Sequence, residues 1–128
     1  MIYILLNAPA IVAATLASLV IGALYLRLAS LPQRGAGLLV TAAIAQGWFA
    51  AILAGALILA PAKAGDWTMA IGSAVVIWIG FVVPVSVVTL RARNYRWSAA
   101  VMDSLYWLVI MLVQALVLKS IGLVPPPA

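Results

Sequence analysis

The reading of the fold turns on Arg-Ala-Arg-Asn-Tyr-Arg-Trp-Ser-Ala-Ala-Val-Met-Asp-Ser-Leu-Tyr-Trp, residues 91–107. Arg91, Arg93 and Arg96 crowd into one short turn with Tyr95 and Trp97, and the turn runs straight into an apolar stretch that carries Asp103. Basic residues together with interfacial aromatics mark a helix end at a membrane surface. A carboxyl group six residues past Trp97 lies about 9 Å deeper along a helix. A charged side chain well inside a span costs on the order of 2.5–3.5 kcal/mol, less nearer the interface. Asp103 is therefore expected to face the protein interior and to be either paired or protonated.

Moving outward from this stretch, the rest of the chain is more apolar still. Of 128 residues, 68% are hydrophobic and 7% charged, and the mean hydropathy is +1.28. A soluble domain carries about 25% charged residues. The charges cluster between long apolar runs, so the sequence predicts an all-α polytopic membrane protein: one domain, residues 1–128, with four spans in a compact bundle. The spans are expected at about 3–28, 38–60, 67–90 and 97–124. The first lacks a basic leader and is read as a retained span, with Pro9 in its first turns. Pro32, Arg34, Gly35 and Gly37 interrupt the chain after it, and residues 61–66 form the second connector. Pro84 should distort the third span, and Pro125, Pro126 and Pro127 should end the fourth.

Arg27, Arg34, Arg91, Arg93 and Arg96 flank the connectors after spans one and three, whereas only Lys63 and Lys119 lie towards the other side. That asymmetry predicts cytoplasmic connectors and exported termini. Tyr25, Tyr95 and Trp97 would form the inner aromatic belt, and Tyr3 and Trp67 the outer one. The net charge of +5 follows from this topology and marks no nucleic-acid surface, because no basic face exists on a soluble element. Leu26-Arg27 and Leu90-Arg91 both close odd-numbered spans, a hint of a duplicated hairpin.

Several chemistries are excluded by composition. The chain has no cysteine, histidine or glutamate. It therefore has no thiolate ligand or nucleophile, and it lacks the commonest metal ligand and the commonest neutral-pH base. No base–nucleophile pair for hydrolysis exists. Small multidrug-resistance transporters have a similar length and span number but need a glutamate in the first helix. No resident cofactor or metal is expected, while a lipid, quinone or pigment held by packing alone stays open.

Three constellations remain. Ala10, Ala14, Ser18 and Gly22 repeat every fourth residue in the first span, as do Ala43, Gly47, Ala51 and Gly55 in the second. Such strips let helices approach closely in lipid, so spans one and two are expected to make the closest contact. Trp48, Trp78 and Trp107 fall about 15–17 Å into their spans, near the midplane. They form either a shared internal layer or a surface for a partner or apolar cofactor, or else they face lipid separately. Asp103, Trp107, Ile110 and Gln114 share a helical stripe. Arg27, Arg91 or Tyr25, at the same membrane level, are the expected partners of Asp103, and the arginines are accordingly expected to be buried polar residues.

With Gly22-Ala23-Leu24-Tyr25 closing the first span, Trp78-Ile79-Gly80-Phe81 in the third and Asp103-x-x-Tyr106 early in the fourth, the whole chain resembles a family of small bacterial four-helix membrane proteins catalogued as a domain of unknown function. The resemblance implies a multi-pass protein of the bacterial inner membrane and supplies no activity. The expected role is a non-catalytic accessory or assembly subunit, bound by lipid and other transmembrane subunits. The alternative is a small oligomeric transporter or channel using Asp103 and Gln114.

Overall fold

The computed structural model describes residues 2–28, 35–59 and 65–125. Among these the chain is all-helical: α1 (Ile2–Leu6), α2 (Ala8–Leu28), α3 (Gly35–Leu59), α4 (Asp66–Ile77), a π-helical turn (Trp78–Val82), α5 (Val83–Ala92) and α6 (Trp97–Ile121). The α4, π and α5 pieces make one continuous third span. With α2, α3 and α6 it completes four helices long and apolar enough to cross a membrane. Arg34 and Lys63, used above to orient the chain, lie outside the described residues, as do most of both connectors and Pro126 and Pro127.

Local chemistry sets the element ends. Pro9 cannot donate to the carbonyl four residues back, and its ring crowds that carbonyl. The first helix therefore breaks at Asn7 into α1 and α2, where a single helix over 3–28 is expected. The α3 helix begins at Gly35, three residues before the expected start, with Gly35 at φ 65°. Pro84 leaves the carbonyl at Gly80 without its helical donor, and the span answers by widening to the π turn, in which the Val83 N–H bonds the Trp78 carbonyl. Asn94, at φ 63°, closes α5: its N–H reaches the Arg91 carbonyl at 3.0 Å and the Tyr95 N–H the Leu90 carbonyl at 3.0 Å. This is the Schellman pattern, with asparagine in the left-handed position usually held by glycine. The α6 helix stops at Ile121, earlier than the expected residue 124, because Gly122 turns to φ 92°. The glycine, rather than the prolines, ends the helix.

The hub is α6. It packs against α2, α3, α4, the π turn and α5, and its most extensive partner is α2. The second-ranking interface of α2 is with α3, and α2 and the third span do not approach each other. The bundle is thus a rhombus with α3 and α6 across its short diagonal. Its core is small-residue rich: Ala14, Ala50, Ala54, Ala74, Met111 and Ala115 are fully buried. The expectation that spans one and two make the closest contact is corrected here. Ala10, Ala14, Ser18 and Gly22 are all buried, but Ser18 and Gly22 face α6 as much as α3. On α3 the buried face runs through Gln46, Ala50, Leu53 and Ala54. Ala43, Gly47 and Gly55 lie at its half-buried edge and only Ala51 is fully buried. Gly47 faces Thr15, and Gly55 lies under the Tyr3 ring.

The segment around Asn7 and the one after α6 meet on one side. The Asn7 amide donates to the Tyr3 and Val124 carbonyls, each at 2.8 Å, and accepts from the Val124 N–H at 2.6 Å. Tyr3 donates its hydroxyl to the Ala51 carbonyl at 3.1 Å. The opposite side carries Arg27 and the α5–α6 turn, and is called the arginine end below.

Candidate functional site

Six polar side chains from three helices meet within the bundle. Gln114 sits on α6 and Ser18 on α2, both fully buried. The Gln114 Nε2 donates to Ser18 Oγ at 3.0 Å and to the Gln46 carbonyl at 2.8 Å. The Ser18 hydroxyl donates to Gln46 Oε1 at 2.7 Å, with the Thr15 carbonyl at 2.9 Å as a second acceptor. Gln46 Nε2 continues the chain to Tyr106 Oη at 3.3 Å. Tyr106 stacks on Tyr25, with ring centres 4.6 Å apart and planes 26° apart, and Tyr25 donates to Asp103 Oδ1 at 3.4 Å. The seam thus runs from the sealed middle of the bundle to a half-exposed carboxyl group. Burying amides and hydroxyls in apolar surroundings is costly unless they bond one another. Among the described residues, Gln114 Oε1 alone is buried with no hydrogen-bond partner.

Close helix approach at Gly22 makes the seam possible. A Cβ there would come within 2.9 Å of Tyr106 Oη and 3.3 Å of Gln46 Nε2. The sequence reading treats Ser18 and Gly22 as packing residues, whereas Ser18 is the node of the network and Gly22 the gap that admits Tyr106. Gln46 escapes the sequence reading altogether. Its signal was available: glutamine inside an apolar span is rare and tends to hydrogen-bond across helices.

Towards the arginine end the α2 and α3 helices open around this seam. The crevice between them has a volume of about 620 Å³, with α6 as its floor. Leu19, Leu26, Leu38 and Leu39 supply apolar wall, and Tyr25, Gln46, Asp103 and Tyr106 supply the polar groups. Its outer wall is the first two turns of α3, residues 35–41, which are exposed on every side of the helix.

Of the expected partners of Asp103, the structure supplies Tyr25 and withholds the arginines. Arg27 and Arg91 are exposed, not buried, and neither forms an ion pair with Asp103. Arg91 donates to the Tyr95 carbonyl at 2.7 Å and lies over the Trp97 ring at 4.8 Å. An arginine at a helix end keeps its head at the polar interface and satisfies its planar fork there. The tryptophans also separate. Trp78 donates to the Ser104 carbonyl at 2.6 Å, and Trp107 packs against Phe49 and Tyr106, each at 5.2 Å. Trp48 is 57% exposed. Two are internal and one faces outward, so no layer of three exists. In the expected aromatic belts, Tyr95, Trp97 and Trp67 are exposed, whereas Tyr25 and Tyr3 turn inward.

No group of three or more metal-binding acids, histidines or cysteines occurs among the described residues. No known protein family matches the chain, and no curated protein or solved structure is detectably similar to it.

Proposed function

We propose that the chain is a non-catalytic transmembrane subunit that packs against, or helps to assemble, a larger membrane complex of a bacterial inner membrane. One observation carries the reading: the first two turns of α3 are exposed on every side. A Cβ added at Gly37 would meet nothing within 4 Å. A glycine in a helix costs about 1 kcal/mol relative to alanine, and this arm recovers none of it by packing on its own bundle. Bare glycine and alanine backbone is the surface that another transmembrane helix can approach closely. The same reading takes both termini as exported, on the charge asymmetry of the connectors.

The second reading, a small oligomeric transporter or channel, draws on Asp103 lining the crevice. Gln114, its intended companion, is fully buried behind Ser18 and Gln46, which favours a structural role for the amide.

Purification in mild detergent from native membranes separates the two. A subunit co-migrates with other polypeptides in fixed proportion, and a photo-crosslinker at Val40, on the exposed arm, captures one of them. Recovery only as free or self-associated chain overturns the subunit reading. Reporter fusions at Arg34 and at the C-terminus test the topology, and a cytoplasmic signal at the C-terminus refutes it.

A further inference from the structure

We propose that the crevice between α2 and α3 binds an amphiphile bearing a protonated amine on an apolar body. Four observations converge. The volume of about 620 Å³ falls within the range of about 300–1,000 Å³ that small-molecule sites occupy. The walls are largely leucine and alanine, suited to a hydrocarbon body, and Asp103 and Tyr106 stand on the α6 side. Among those groups Asp103 is the one that can carry charge inside the span, and its bond from Tyr25 is long at 3.4 Å. Hydroxyl-to-oxygen bonds are usually about 2.5–3.0 Å, so this contact leaves most of the carboxylate's acceptor capacity unused. Finally, Tyr25 and Tyr106 line the same crevice beside it, and their hydroxyl oxygens can accept from an ammonium.

Together these groups describe a site for a cation with an apolar body. An ammonium placed between Asp103 and the tyrosine pair would donate to the carboxylate, restoring the charge balance that neither Arg27 nor Arg91 supplies. A fatty acid or another anionic amphiphile would place like charges together. A neutral amphiphile would fill the space but leave the carboxylate unanswered. The ammonium can come from an aminophospholipid headgroup or from a free lipophilic amine, since both present the same group on an apolar body.

The test uses the purified full-length protein and native mass spectrometry, with dodecylamine as probe and dodecanoate as its anionic counterpart. Dodecylamine should bind saturably with one molecule per chain, about tenfold or more tightly than dodecanoate. Asp103→Asn should weaken amine binding by a similar factor. Ala42→Trp, which fills the crevice from its α3 wall, should do the same while helicity and elution stay normal, so that loss of binding is not loss of fold. In nanodiscs of phosphatidylglycerol, displacement of dodecylamine by added phosphatidylethanolamine assigns the lipid source. Failure to displace assigns a free amine, and both results uphold the ammonium site. Equal binding of amine and dodecanoate overturns the proposal. So does amine binding indifferent to Ala42→Trp. Binding that appears only in Arg34→Gln overturns it too, by making the chain's own arginine the occupant.

Discussion

Ser18→Ala is the sharpest probe of the polar seam. The substitution removes one oxygen from a fully buried position and leaves the helix-forming character of α2 intact. It deletes two interhelical hydrogen bonds, the Ser18 bond to Gln46 Oε1 at 2.7 Å and the Gln114 bond to Ser18 Oγ at 3.0 Å. Such bonds inside membrane proteins average about 0.6 kcal/mol and reach about 1.7, so the pair predicts a loss of about 1–3 kcal/mol. The upper part of that range is expected, because Gln114 Oε1 already lacks a partner and the variant adds further unpaired amide groups beside it. Reversible unfolding in mixed micelles by SDS titration, followed by far-ultraviolet circular dichroism, measures the loss. Gln46→Leu removes the same Ser18 bond together with the bond to Tyr106 at 3.3 Å. The double variant should therefore fall short of additivity by the worth of the shared bond. Ser18→Ala within about 0.3 kcal/mol of wild type, or strict additivity in the cycle, would refute the seam as an energetic unit.

Other substitutions test other parts of the bundle. Gly22→Ala should destabilise by about 1–3 kcal/mol, because its Cβ meets Tyr106 Oη at 2.9 Å and the ring is held between Tyr25 and Trp107. Gly47→Ala, whose nearest neighbour is at 3.7 Å, should stay within about 0.5 kcal/mol in the same titration. Trp78→Phe loses the bond to the Ser104 carbonyl and should cost about 0.6–1.7 kcal/mol, whereas Trp48→Phe, on the outer surface, should be near neutral. Asn7→Leu breaks both bonds to Val124. A spin label at Leu123 should then become more mobile, while four-helix content stays unchanged.

The spans themselves were legible because insertion into lipid is close to a sum over residues, each contributing by its own apolarity. Punctuation was legible wherever one residue's backbone chemistry decided it. Pro9 and Pro84 both act where the sequence places them, although as a break and a π turn. The errors of a few residues at Gly35 and Gly122 have the same origin: either glycine can continue a helix or leave it, and only the packing around it selects. Asp103 was legible as an energetic oddity, and Tyr25 as one of its candidate partners.

The faces of the helices were not legible. In water an apolar stripe marks the buried side of a helix. In lipid the bilayer is as apolar as the core, so every face reads alike and hydrophobicity carries no direction. Hence the spacing of Ala43, Gly47, Ala51 and Gly55 is visible in the sequence, but the buried face centred on Gln46 and Ala50 is not. The sequence by itself determined four apolar helices, their approximate ends, a cluster of arginines at one end and a costly carboxyl group near it. The tertiary structure alone decided that α6 is the hub, that Ser18 joins Gln46 to Gln114, and that Asp103 faces a crevice instead of an arginine. Those outcomes depend on which helices approach closely enough for polar side chains to bond, and that distance is set by small residues on two chain segments at once.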